Sequence, residues 1–243
     1  MKIILLSAGK GTRMMPLTKN TPKCLLPVSD GISVLEHQLE VIQKTKVKDV
    51  VLVIGYLAEQ IETKIKPFEK DLNIHIVYNP FYDVSNNLVS LWMARHHMDN
   101  DFMIINGDNI FGVDTLNKIL ESSKDTTMVV TKKGEYDEDD MKVIIEDNKV
   151  LQIGKDIEKA NGESVGIIKF QNGANQRIKK TLDNMMRSKE SFNIFYLAAI
   201  QKMINDRHEI NFVNIEPHAW AEIDFHPDLK LVQEKLGKFR PDL

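Results

Sequence analysis

The apolar run Lys2-Ile3-Ile4-Leu5-Leu6 empties directly into Ser7-Ala8-Gly9-Lys10-Gly11-Thr12-Arg13. A buried strand that ends in Gly-x-Gly sets backbone N–H groups and cationic side chains at the carboxyl edge of a sheet, where anions bind. Pro22-Lys23 and a second apolar run, Leu25-Leu26-Pro27-Val28, follow shortly. The loop is not a Walker A sequence, which needs four residues between its glycines and then Gly-Lys-Ser/Thr. It is not a dinucleotide fingerprint either, because Met14 occupies the third glycine position. Gly-x-Gly alone is common in loops. With Arg13 two residues on and Pro22-Lys23 beyond, the pattern reads as an anion site.

Apolar runs and amphipathic stretches alternate through the first half. Helical spacing over 34–42, a buried strand at 50–54, a helix over 57–65, a strand at 74–77, a helix over 88–98 and a strand at 102–106 follow one another. Such alternation predicts a parallel sheet with helices on both faces. In the second half, strands at 127–132, 143–146, 150–153 and 165–170 have tight polar connections and read as partly antiparallel. Helices over 174–186 and 195–204, strands at 212–215 and 220–225 and a terminal helix complete the chain. No Pro-, Gly- or Ser-rich linker divides it. The expected arrangement is an α/β fold in one domain, 1–243, with two halves at 1–125 and 126–243.

With 243 residues and 42% hydrophobic content, the chain suffices for one large α/β domain. A net charge of −3 leaves no basic field for a nucleic-acid backbone, so the cations of the opening loop are local. Cys24 is the single cysteine, which excludes an internal disulfide and fits a reducing, cytoplasmic setting. The opening apolar run is too short for a signal or a membrane span, so no membrane partner is expected.

Asp108 follows the run 102–105, just beyond the carboxyl end of a strand on the same edge as the glycine loop. It is either a cation ligand or a turn residue. If 220–225 is a strand, Glu222 and Asp224 share a face with Ile223 opposite. Lys155 lies between two strands, where an exposed lysine is ordinarily just solvated. In the polar loop 79–88, one of Asn86 and Asn87 is a helix cap, and Asn87 is expected to face the site. The acidic run 135–140 is a solvated hairpin tip or faces a cationic head group. His96 and His97, adjacent on one helix, do not share a face for a metal. Trp92 and Met93 are expected in the core. Trp220 and Tyr196 are core residues or walls of a cation–π site.

The string Leu6-x-Ala8-Gly9-x-Gly11-Thr12-Arg13-x-x-Pro16-Leu17-Thr18, followed by Pro22-Lys23, resembles the signature of nucleotidyltransferases that activate sugar 1-phosphates and phosphocholine. The resemblance implies a Rossmann-like domain with a mixed, mainly parallel central sheet flanked by helices. It implies nucleotide binding by Leu6, Ala8, Gly9, Lys10, Gly11, Thr12, Arg13, Lys23, Asn87 and Asp108. Arg13, Lys23 and Lys155 take catalytic roles, and Mg²⁺ sits on Asp108 and Asp224. Lys142, Lys155, Glu163, Tyr196, Trp220 and Glu222 serve the acceptor. The double Asn and the Glu-Ile-Asp segment are similar to the phosphocholine cytidylyltransferase branch. That branch implies CTP and a small phosphorylated or phosphonate acceptor bearing an ammonium, with phosphocholine first and 2-aminoethylphosphonate and phosphoethanolamine as rivals. A sugar-1-phosphate enzyme and an inactive nucleotide-binding regulatory subunit are the alternatives, and a homodimer is left open. Because the opening loop is exposed, replacing Arg13 or Lys23 by alanine is expected to leave the fold intact.

Overall fold

A computed structural model describes residues 1–29 and 31–239; the last four positions of the expected 1–243 unit lie outside them. In chain order the first half forms β1 (Lys2–Ser7), the short pair β2 (Pro27–Ser29) and β3 (Ile32–Ser33), α1 (Val34–Gln43), β4 (Asp49–Ile54), α2 (Ala58–Ile65) and β5 (Asn73–Tyr78). It continues through α3 (Asn87–Met93), β6 (Phe102–Asn106), β7 (Asn109–Phe111) and α4 (Val113–Leu120). The second half forms β8 (Thr126–Thr131), β9 (Lys142–Glu146), β10 (Lys149–Gly154), β11 (Gly162–Phe170) and α5 (Ala174–Met185). Then come α6 (Leu197–Asn205), β12 (Asn211–Ile215), β13 (Trp220–Glu222) and α7 (His226–Phe239).

Nine of the strands form one sheet in the order β5-β4-β1-β6-β11-β8-β12-β10-β9. β1 is flanked by β4 and β6, both parallel to it, and β4 is parallel to β5. β11 runs antiparallel to β6 and β8, and β10 antiparallel to β12 and β9. The remaining strands therefore share one direction, which is the mixed, mainly parallel arrangement expected. Strand periodicity divides the core. Ile4, Phe102, Ile104 and Ile168 point to the face covered by α3, α5 and α6, whereas Ile3, Leu5, Met103 and Ile105 pack with Leu35 and Leu39 of α1. A third cluster joins Leu229, Val232 and Leu236 of α7 to Met14, Leu26, Val28, Ile110 and Ile223. That cluster seats the C-terminal helix against the base of the glycine loop.

Local chemistry explains the boundaries near the site. α1 starts at Ser33, whose Oγ accepts the Glu36 N–H while the Glu36 carboxylate accepts the Ser33 N–H at 2.9 Å, a capping box. The strand expected over 220–225 stops at Glu222, where pairing with Asn109 of β7 ends. The helix expected over 88–98 is α-helical only to Met93 and tightens into a 3₁₀ turn at Ala94–His97. Trp92, expected in the core, is half-buried: its indole N–H donates to Asp183 at 2.9 Å and the Arg95 guanidinium lies 3.8 Å from its ring. β7 and α4 were not anticipated. The first is three residues long, too short for periodicity to register, whereas α4 is as long as α2 and amphipathic, with Leu116 and Ile119 buried.

β11 slips its register against β8 between Ser164 and Ile168, and Gly166 within the slip has φ of 73°. A Cβ there would strike the side-chain amide of Asn106. Gly166→Ala should therefore combine a left-handed backbone penalty with a steric clash and cost about 2 kcal/mol, read as a lowered denaturant midpoint at unchanged m.

Candidate active site

The carboxyl ends of β1 and β6 open into a cavity of about 320 Å³. Its floor is the glycine loop, with Leu6, Ala8, Gly9, Gly11, Thr12 and Arg13 all lining it. Gly11 has φ of 61°, and a Cβ there would run into the Lys23 side chain 2.8 Å away, so glycine lets Lys23 lie across the loop. Gly107 lies against the Leu6 carbonyl, to which it donates its N–H at 3.0 Å. That close approach delivers Asp108 to the cavity beside the loop.

The charged centre is a lysine between two carboxylates. Lys23 Nζ lies 2.6 Å from Asp108 Oδ2 and 2.6 Å from Asp224 Oδ1. Burial works against the ammonium, but Asp108 and Asp224 overcome it and hold the Lys23 pKa above its ordinary value. Arg13 Nη2 reaches Asp224 Oδ2 at 2.7 Å, and its guanidinium sits 5.0 Å from the Phe225 ring. Burial opposes ionisation of Asp224, while Lys23 and then Arg13 prevail and keep its pKa low. Glu222 completes the group: burial, then the charges of Asp108 and Asp224, push its pKa well up. Asp108, Glu222 and Asp224 each present a carboxylate oxygen, all within 4.8 Å of one another. Asp108 Oδ1 is buried without a hydrogen-bond partner. Three carboxylates around one orphaned oxygen are a donor set that suits a hard divalent cation.

Across the cavity, Asp139 faces two cations, 3.6 Å from Arg13 Nη1 and 3.3 Å from Lys155 Nζ. Lys155 also lies 5.3 Å from the Phe195 ring. Asn86 caps α3, accepting the Asn87 N–H at 2.8 Å, and Asn87 Oδ1 accepts the Tyr196 N–H at 2.8 Å. Both asparagines line the cavity. Tyr196 is fully buried, its hydroxyl unpartnered at the cavity wall, and burial raises its pKa so that it keeps its proton. Burial likewise pushes the Cys24 thiol up to about 12, so it is no nucleophile.

Several expected site residues lie elsewhere. Lys10 pairs with Asp83 on the rim. The Lys142 ammonium turns back to donate to the Lys155 carbonyl at 2.9 Å. Trp220, expected as an acceptor wall, packs instead against the core shared with α1, because its register opposite Phe111 directs it away from the cavity. Glu163 is 5% exposed and bonds Lys133 Nζ at 2.9 Å, and Lys133 also pairs with Asp140 at 2.7 Å. Of the acidic run 135–140, Asp139 is committed to Arg13 and Lys155 and Asp140 to Lys133. Tyr136, beside it, accepts the Lys133 N–H at 3.3 Å. Asp139 and Phe195 line the cavity without having been singled out as ligands, and Tyr82, from the polar loop 79–88, lines it too. Asp139 carried a signal, being an acid in the one dense acidic run of the chain, but its partners are distant in sequence.

Burial raises the Glu163 pKa from the ordinary 4.5 to about 7, against the attraction of Lys133. A carboxyl with a raised folded pKa binds its proton more tightly in the folded state. It therefore stabilises the fold fully below pH ~4.5 and loses that contribution as pH rises towards ~7. Glu163→Gln should reduce the fall in stability between pH 4.5 and 7 by roughly 2 kcal/mol, measured by denaturant titration across that range. Glu222 adds a slope of the same sign, so the dependence shrinks and does not vanish.

A nucleotidyl transferase family model matches residues 2–221. The chain is 32% identical over 210 residues to the bifunctional protein GlmU of Methanococcus aeolicus, across 85% of this chain and 47% of that one. It is 26% identical over 236 residues to the choline-phosphate cytidylyltransferase of Streptococcus pneumoniae, across 97% of this chain and 98% of that one. It thus spans about half of the first relative and nearly all of the second. The solved structure of CTP:phosphocholine cytidylyltransferase from S. pneumoniae superimposes with a TM-score of 0.79 at 25% identity, covering 97% of this chain and 98% of that one. The inositol-1-phosphate CTP transferase of T. maritima has the same fold, with a TM-score of 0.81 at 20% identity over 98% of this chain and 96% of that one. Among the described residues, no helix is long and apolar enough to cross a membrane.

Proposed function

The chain belongs to the nucleotidyl transferase family, and from that membership we propose that it is a Mg²⁺-dependent cytidylyltransferase joining CTP to a small phosphorylated or phosphonate acceptor that carries an ammonium group. One observation carries the reading: Arg13, Lys23, Asp108, Glu222 and Asp224 converge in one cavity at the carboxyl ends of β1 and β6. Residues 1–125 supply the nucleotide side and 126–243 the acceptor side. CTP is the donor by likeness to the choline-phosphate cytidylyltransferase of S. pneumoniae, which matches along nearly its whole length.

The reaction asks for few groups. The attacking phosphate or phosphonate oxygen is anionic at neutral pH, so no side chain need remove a proton. Positioning and charge stabilisation do the rest. The loop amides and Arg13 hold the pyrophosphate to be released, and Lys23 and Lys155 approach the α-phosphate and the acceptor anion. Asp108 and Asp224, with Glu222 beside them, would hold Mg²⁺, which supplies positive charge to the phosphate oxygens when bound. Lys23 then exchanges carboxylate contacts for phosphate contacts. The acceptor ammonium meets Glu222, whose burial among carboxylates favours a cation nearby, and the ring of Phe195 or Tyr82.

Arg13→Ala and Lys23→Ala should each lose about 3 kcal/mol of transition-state stabilisation, measured as kcat/KM for pyrophosphate release. Their stabilities should diverge. Arg13 has a 43% exposed side chain, and its loss should leave the melting point unchanged. The Lys23 side chain is only 15% exposed, and its loss leaves Asp108 and Asp224 facing each other, so Lys23→Ala should also destabilise. Asp108→Asn and Asp224→Asn should abolish Mg²⁺-dependent turnover non-additively, since they serve one ion. Full activity in Asp224→Asn at ordinary Mg²⁺ would make that carboxylate structural.

The substrate is tested by pyrophosphate release with CTP, UTP, GTP and dTTP against phosphocholine, phosphoethanolamine, 2-aminoethylphosphonate and glucose 1-phosphate. CTP with an ammonium-bearing acceptor should give the highest kcat/KM, phosphocholine ahead of the primary amines. Preference for glucose 1-phosphate would replace the reading with a sugar-1-phosphate enzyme. The trimethylammonium of phosphocholine donates no N–H bond and relies on aromatic faces and diffuse charge, so a preference for primary amines would assign recognition to the carboxylates.

A further inference from the structure

Asp224 leaves β13 two residues after the strand ends, in a segment with no ladder to fix it. Three successive N–H groups of this segment are tied down instead, and the Phe225 carbonyl accepts the Asp228 N–H at 3.1 Å. Ile223 is fully buried and donates its N–H to the Asp108 carbonyl at 3.1 Å, tying the two acidic segments together. The next two N–H groups, of Asp224 and Phe225, both donate to Asp228 Oδ2, at 2.9 and 2.7 Å. Asp228 lies in the first turn of α7, which Leu229, Val232 and Leu236 seat in the third core cluster. Its carboxylate thus passes the rigidity of a packed helix to the backbone of a site residue. Downstream of that grip, the Asp224 carboxylate divides itself between Lys23 and Arg13, and the Phe225 ring lies beside the Arg13 guanidinium.

We infer that Asp228 is a positioning residue of the active site: by holding the Asp224 and Phe225 amides it sets where the Asp224 carboxylate stands relative to Lys23, Arg13 and Asp108. The inference rests on the cytidylyltransferase reading. A residue that merely caps α7 would also accept these N–H bonds, and its loss would lower stability without touching the chemistry. A positioning residue does more. A displacement of about 1 Å at a charged group is enough to cost on the order of a hundredfold in rate.

The experiment compares Asp228→Ala and Asp228→Asn in the full chain. Asparagine keeps an oxygen able to accept both N–H groups but has no charge; alanine keeps neither. Three quantities are read: kcat and the KM for CTP, the melting temperature, and the Mn²⁺ dissociation constant by electron paramagnetic resonance with CTP and no acceptor. Asp228→Ala should lower kcat at least tenfold with the KM for CTP within about threefold, and should weaken Mn²⁺ at least fivefold. Asp228→Asn should restore both to within threefold of the parent. Should Asp228→Ala not fold, Asp228→Ser keeps a helix-starting residue whose shorter hydroxyl does not span both amides, and it should show the same losses. Parental kcat and Mn²⁺ affinity in a folded Asp228→Ala or Asp228→Ser protein would overturn the inference, leaving a helix cap. An Asp228→Asn protein as impaired as Asp228→Ala would overturn it too, assigning the effect to charge. If the parent protein turns over no CTP with any acceptor, the cytidylyltransferase reading has failed, while the Mn²⁺ comparison still reports on Asp228.

Discussion

The ammonium of Lys23 between Asp108 and Asp224 is the contact on which the site depends. It joins a loop after β1, a loop after β6 and a segment near the end of the chain, separated by up to 201 positions. Each partner is mostly withdrawn from water, so none of the three charges is tolerable alone. Folding must bring them together or strand one of them. The same arrangement gives the centre its versatility. Under the proposed function, a divalent cation would compete with the lysine for one set of carboxylates, and a phosphate would compete with those carboxylates for the lysine. The geometry is therefore poised to exchange partners without large backbone motion.

Much of the fold was legible because the periodicity is strong where the strands are long and buried. β1, β4 and β6 are continuous apolar runs, as fully covered parallel strands should be. The failures were local. β7 is too short to carry a period, and β13 ends where its pairing with β7 ends, a partner that no window on the strand would weigh. Trp220 was misplaced for a related reason. Alternation assigns faces within a strand, but which face meets a cavity depends on the partner, and β7 was invisible to the sequence.

The cations and carboxylates of the site were legible for a different reason. Gly-x-Gly, Gly-Asp after a strand and a late acidic pair are placed by the edge of the sheet they terminate, so topology and chemistry point to the same spot. Asp139 was not legible in that way. Its place comes from long-range proximity, since it reaches Arg13 and Lys155 from a loop whose composition alone suggests solvent. Glu163 shows the converse: a residue assigned to the acceptor by its segment is occupied by Lys133, an exposed-looking cation two residues beyond the end of β8.

The order of strands has a mechanical consequence. β11, from the second half of the chain, is hydrogen-bonded directly to β6, from the first, along Ile167 to Phe170. The two sides of the cavity thus share one continuous hydrogen-bonded seam, and a sheet of this kind does not fold like a book at its middle. Enclosure of substrates by hinge rotation, common where two lobes meet through a linker, is denied to this architecture. In the proposed reaction, shielding of the phosphates from water would fall to the rim: the loop that carries Asp83 and Asn86 on one side and the acidic loop that carries Asp139 on the other. The rigid sheet fixes the charges, and the closing of the site is left to a few residues of loop.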